Sequence, residues 1–324
     1  MDLDGIQVQR LRLSIVNLRD SCHFMVPRLG LGHFLHWQTR YTNTEGYVRF
    51  GRHRYPVNYS VVWEHNGWTI RDGWILQAFY NGPRLKSHWN LEIDGGKSGH
   101  YAAIHRASIR SFYGNNLNLP RPSRFRKQKI CYIDKKGTGD YWGNVGMGVL
   151  PDIRIYGKKN INGQRKDDFN VMATTFHELG HAAHLVYVGK VHFFTTGKAV
   201  VESWANAVEW ELIKKEYYDL GFPIYDTDEK YDELTNQLIW PNVDKSFPYT
   251  PIFLDLIDDL NQRVASNNYS LPNDNVKGYT IFQLSRLLPK IKRMSHLRDE
   301  VKKIKPRGVT DSQINDLFSI FLSY

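Results

Sequence analysis

Cysteine is nearly missing: Cys22 and Cys131 are the only two, far apart in the chain. Without a CxxC pair, neither a thiolate metal site nor a redox pair is expected. A single bridge between them would be allowed chemically, but spacing does not dictate it. No run of about eighteen apolar residues occurs, so no transmembrane helix is expected. The first twenty residues lack a continuous apolar core, and no signal peptide is visible. That fits a cytoplasmic protein, or a mature or truncated form of an extracellular or periplasmic one. Internal repeats and low-complexity tracts are missing too. Acidic residues are outnumbered, 33 Asp and Glu against 43 Lys and Arg, which leaves a net charge of +10. A basic balance can serve nucleic acid or anionic surfaces. Here the basic residues are scattered, and the densest run, Lys290 to Lys305, has the makeup of a solvated helix face. No nucleic-acid motif accompanies them, so nucleic acid is not an expected partner. Oligomeric state is not legible.

What is present is an ordinary globular composition, 41% hydrophobic and 23% charged over 324 residues. That is enough for one large or two modest domains. Residues 1–97 read as β-rich. Tyr47–Phe50, Tyr55–Trp63 and Trp74–Tyr80 are aromatic and β-branched, and Asn66-Gly67, Asp72-Gly73 and Asn81-Gly82 mark turns between them. Short strands divided by such turns resemble the small β-sandwich modules found beside secreted carboxypeptidases and bacterial surface enzymes. Residues 98–324 read as a second domain. Gly95-Gly-Lys-Ser98 lacks the upstream glycine of a phosphate loop and reads as a turn into a helix over about 100–113. Strands are expected at 129–133 and 152–156. Helices follow at about 168–188, 199–218, 250–266, 279–294 and 311–322. Strands first and helices afterwards predict an α+β fold, a mixed sheet followed by helices, rather than a parallel α/β sheet.

The chemistry concentrates in Phe176-His-Glu-Leu-Gly-His181. Residues four apart share one face of a helix, roughly 6 Å apart along the axis. His177 and His181 can therefore address one tetrahedral ion. Glu178 points about 100° round the helix from His177 and can take a proton from water there. Val171, Met172, Phe176, Leu179, Ala182 and Leu185 make the surround apolar, where an idle glutamate would be costly. Asp167 and Asp168 suit the positive N-terminal end of the helix. His184 lies about 10.5 Å in rise from His177, too far to share its ion, so it stands behind the ligands or faces substrate. Glu202 lies in a second predicted helix, beyond Gly189 and Gly197, and can return beside His181.

HELGH followed about twenty residues later by a helical glutamate resembles the gluzincins, the thermolysin-like and aminopeptidase-like zinc peptidases. The resemblance implies a zincin-like catalytic domain with one zinc per chain. It implies His177, His181 and Glu202 as ligands and Glu178 as general base. The family often has an acidic acceptor one turn after the third ligand. Asn206 stands there, and Glu209 a turn further can serve instead. Gluzincins also tend to hold substrate along an edge strand before the zinc helix; by position Gly146–Tyr156 could be that edge, and an ordinary hairpin is the equal alternative. An oxyanion donor is expected from the C-terminal part. Tyr249 is the leading candidate, with Tyr279, His184 and His192 beside it. The expected activity is zinc-dependent hydrolysis of amide bonds in a peptide or protein. The alternative is a non-catalytic peptide- or glycan-binding surface protein with a degenerate or structural metal site. Trp63, Trp68, Trp74 and Trp89 would offer its aromatic platforms.

Overall fold

The computed structural model describes residues 23–29, 35–41, 56–85, 91, 93, 95–114, 117–123, 126–137, 139–141, 150–160, 162–219, 250–265 and 273–323. The fold is mixed α+β, with strands in the first half of the chain and helices dominating the second. Contacts divide it into two compact units: 1–109 with 125–175, and 110–124 with 176–324.

Among the described residues the first unit holds two sheets. Strands β1 (His23–Leu29), β2 (Leu35–Tyr41), β3 (Val57–Val62) and β6 (Phe79–Leu85) form an antiparallel sheet in the order β2-β1-β3-β6. The second sheet has the order β5-β4-β7-β9-β8, from β4 (Trp68–Asp72), β5 (Leu76–Gln77), β7 (Gln128–Lys136), β8 (Gly139–Tyr141) and β9 (Ile153–Lys158). β4, β7 and β9 run parallel, and β5 and β8 close the edges antiparallel. This sheet joins residues from both sides of position 97. Its centre is apolar for a reason: β7 has neighbours on both sides, and Ile130, Cys131 and Tyr132 are fully buried. An interior parallel strand covered on its faces must read as a continuous apolar run. Cys131 is a buried thiol, and Cys22 lies outside the described residues.

Helix α1 (Gly96–Ile109) packs on β4 and β7. It starts four residues before the expected position, because Gly95 and Gly96 both adopt positive φ and turn the chain into it. Lys97 is engaged by Asp72 at 2.6 Å. Two histidines of α1 bond inward: His100 bonds Tyr132 Oη (2.9 Å) and Lys166 O (2.7 Å), and His105 Nδ1 accepts from Trp68 Nε1 (3.2 Å). Trp63 and Trp68 are core residues, whereas Trp74 is half exposed beneath the Arg154 guanidinium, 5.2 Å from its ring centre. Trp89 lies outside the described residues. The candidate edge for substrate is corrected: β9 lies between β7 and β8, and Ile153, Arg154 and Ile155 are paired on both sides. Residues 146–149 of that candidate are outside the described set.

The second unit is helical. Two expected helices break. Residues 250–266 give α5 (Ile252–Asp255) and α6 (Gln262–Ala265). Between them Asp258 accepts the N–H of Leu260 (3.1 Å) and Asn261 that of Val264 (3.3 Å). Such local side-chain bonds compete with the helix ladder. Residues 279–294 give α7 (Ile281–Ser285) and a 3-10 turn, Leu288–Lys290. Thr280 and Gln283 form a capping box that fixes the start of α7. Pro289 lacks the N–H needed to carry the helix on. Helices α8 (Met294–Lys303) and α9 (Asp311–Phe318) follow. α8 buries Met294, Leu297 and Val301, while Lys290 and Lys303 pair with Glu300, and Lys305 with Asp311. The basic run is thus a solvated face. Among the described residues no helix is long and apolar enough to cross a membrane.

Candidate metal centre

Helix α2 spans Asp168–Val188. Asp167 starts it by accepting the N–H of Asn170 at 2.7 Å. Gly189 stops it: φ is 83°, and its N–H bonds Leu185 O at 2.9 Å. A left-handed residue just past a helix end favours glycine. The short α3 (Lys190–Thr195) fills the connection to α4 (Lys198–Asp219). α4 runs antiparallel beside the second half of α2, since His177 meets Glu209 and His181, later on α2, meets the earlier Glu202. The helices approach closely at Gly180, where an added Cβ would stand 3.3 Å from Val208 Cβ. The glycine inside HELGH therefore sets the spacing across which the ligands converge.

That convergence is tight. His177 Nε2 lies 3.3 Å and His181 Nε2 3.1 Å from the same oxygen of Glu202. The two imidazole rings are edge to face, with centres 4.7 Å apart. One donor atom from each of His177, His181 and Glu202 falls within 4.8 Å of the others, so the three could hold a metal ion. His177 Nδ1 points the other way and bonds Glu209 Oε2 at 3.1 Å. An imidazole whose second nitrogen is held by a carboxylate has its tautomer and ring plane fixed for a metal on the first. Two imidazoles and a carboxylate are a donor set that suits zinc. Glu178 is buried beside His177, and its charge raises the histidine's pKa.

Electrostatics point the same way. Burial pushes His177 down, but its bonds to Glu202 and Glu209 outweigh that and raise it to about 10. For His181 burial wins over the bond to Glu202, and the pKa falls. Burial pushes Glu202 up, and the bonds from both histidines more than reverse it, holding the carboxyl well below the usual range. Glu178, Glu202 and Glu209 surround two imidazoles, so the cluster favours positive charge at the point where the donors meet.

The oxyanion candidates fare differently. Tyr249 lies outside the described residues. Tyr279 is buried and donates its hydroxyl to Val301 O at 2.9 Å. His192 Nε2 is committed to Leu288 O and Ile291 O, both at 3.0 Å. Both are structural donors, which corrects the expectation for them. His184 is 1% exposed, edge-on to Phe193 at 5.1 Å, with no hydrogen-bond partner on either ring nitrogen. Burial depresses its pKa to about 3, so it is a neutral core histidine. It lines a small cleft with Leu179, Trp204, Leu212 and Leu288. Asn206 is buried and its Nδ2 is unpartnered, while Glu209 contacts His177. Side-chain periodicity offered both residues, and only the packing of α4 on α2 separates them.

Comparison with known proteins gives no match to a family model, a curated protein or a solved structure.

Proposed function

We propose that this chain is a zinc-dependent peptidase that hydrolyses amide bonds in peptide or protein substrates. The observation that carries the reading is the meeting of His177 Nε2 and His181 Nε2 on one oxygen of Glu202, with Glu178 next to His177 on the same helix. His177, His181 and Glu202 would hold one zinc, and Glu209 would fix the ring of His177. A bound zinc supplies a Lewis acid for the scissile carbonyl and makes water acidic enough to ionise near neutral pH. Glu178 accepts the proton of the attacking water. Its buried position keeps that proton from bulk solvent, and it returns the proton to the leaving amine.

The test separates the two carboxylates. Glu178→Gln keeps size and polarity but cannot accept a proton. Peptide hydrolysis should fall by at least about a hundredfold while metal analysis still finds about one zinc per chain. Glu202→Gln should lose zinc, because a neutral amide is a poorer ligand for a dication. A wild-type protein that binds zinc but cleaves no member of a peptide library favours a metal-bearing binding protein instead. Full zinc retention in a His177→Ala/His181→Ala double variant contradicts the site itself.

A further inference from the structure

The first unit presents an apolar tip to solvent. The turn from β4 to β5 carries Trp74 and Ile75, and Leu76 opens β5. These three consecutive residues are 46%, 76% and 70% exposed. Single exposed apolar side chains are ordinary on a protein surface, but a run of large ones calls for a role. The backbone beneath them is fixed. Asp72 pairs with Leu76 across the hairpin, and Gly73, at φ 65°, bonds Tyr132 O through its N–H at 2.9 Å. Arg71 Nη1 donates to Ile75 O at 3.3 Å, and the Thr69 hydroxyl to Gln77 Oε1 at 2.8 Å. The hairpin therefore offers its apolar side chains from a braced support.

Shape and charge choose the partner. Successive side chains of a tight turn diverge, so a flat protein surface covers one and leaves its neighbours wet. A bilayer closes round the whole tip. Three cations contact the hairpin. The Arg154 guanidinium stands 5.2 Å from the centre of the Trp74 ring, Arg71 holds Ile75 O, and Lys97 is engaged with Asp72 at the start of the turn. Against them stand two acids, Asp72 with Lys97 and Asp140 with Arg154. The balance is cationic, as it is for the chain at +10. Tryptophan rings settle at the boundary between headgroups and acyl chains, and guanidinium groups pair with phosphate. Anionic headgroups attract basic segments that come near the surface.

We propose that the 73–76 hairpin tip is a peripheral membrane anchor for an anionic lipid surface. Ile75 and Leu76 enter the acyl boundary, Trp74 lies among the headgroups, and Arg71 and Arg154 stand at the depth of the phosphates. Insertion of this kind is shallow and needs no spanning helix. It is independent of whether the HELGH centre is catalytic.

The experiment uses the full chain loaded with zinc and vesicles of phosphatidylcholine with about 25% phosphatidylserine. The wild type should sediment with these vesicles and bind pure phosphatidylcholine vesicles more weakly. Ile75→Ser/Leu76→Ser removes exposed side chains only, so Tm and zinc content should stay at the wild-type values. Its binding to the anionic vesicles should weaken by at least about tenfold. Lipid brominated near the top of the acyl chain should quench part of the wild-type tryptophan emission. Trp74→Phe should lose most of that quenching although eight of the nine tryptophans remain. The proposal is overturned if the wild type does not sediment with anionic vesicles at millimolar lipid. Equal binding by the double variant overturns it, as does equal quenching in Trp74→Phe, which would put the lipid contact elsewhere. A wild type that ignores vesicles but self-associates, while the double variant stays monomeric, would make the tip a protein-docking surface and overturns it too.

Discussion

His177 is gripped at both ring nitrogens, by Glu202 on one side and Glu209 on the other. On the proposed reading the second contact makes Glu209 a positioning residue, since it reaches the ring and not the point where the donors meet. Glu209→Ala should weaken zinc affinity about 10–100-fold, measured by competition with a chromophoric chelator. Glu209→Gln should recover part of the loss, because an amide oxygen still accepts the imidazole N–H. Asn206→Ala should leave zinc affinity nearly unchanged. Equal effects at Glu209 and Asn206 would remove the distinction. The sequence made His177 and His181 legible because their spacing is a property of one helix. The choice between Asn206 and Glu209 was not legible, because it depends on how a second helix is rotated against the first.

At the scale of elements, α2 is written almost completely in local sequence. Its apolar surround, the cap at Asp167 and the stop at Gly189 fix both ends, and the expected span 168–188 is the observed one. α4 is nearly as legible, at Lys198–Asp219 against an expected 199–218. Gly189 offers a direct check. Open space surrounds the position a Cβ would take there, so Gly189→Ala introduces no clash, only the strain of φ 83°. It should lower unfolding stability by about 1–2 kcal/mol, read by denaturant titration of the zinc-loaded protein. An unchanged midpoint would mean the turn relaxes to another conformation. The later helices show where periodicity misleads. Apolar spacing continues through 250–266 and 279–294, but Asp258, Asn261 and Pro289 divert the backbone.

For the whole molecule, the measurable consequence of burial is the response of stability to pH. His184 has its pKa depressed by burial to about 3, against an ordinary value of 6.5. Between those values the unfolded chain binds a proton that the folded chain refuses. Stability is therefore lost as pH falls through 6.5 towards 3 and is intact above about 7. Asp168 has the opposite sign: burial raises it to about 6, so its contribution favours the folded state at low pH and is lost as pH rises through 6. Comparing His184→Leu with wild type isolates the histidine. The stability difference between the two proteins should shift by about 1 kcal/mol in favour of the variant between pH 8 and pH 5.5. Urea titrations at the two pH values measure it, and a pH-independent difference would show that His184 is not neutral in the folded protein.

The sequence by itself determined the class of elements, the bounds of α2 and the placement of His177, Glu178 and His181 on one helical segment. All of these follow from contacts within a few residues, where 3.6-residue periodicity and end-capping act. Only the tertiary structure decided the strand order β5-β4-β7-β9-β8, the structural commitment of Tyr279 and His192, the approach of Glu209 to His177 and the burial of Asp255. Each depends on pairing residues distant in sequence. A buried hydrogen bond or an unpaired carboxylate exists only once the packing of several elements has removed water from around it.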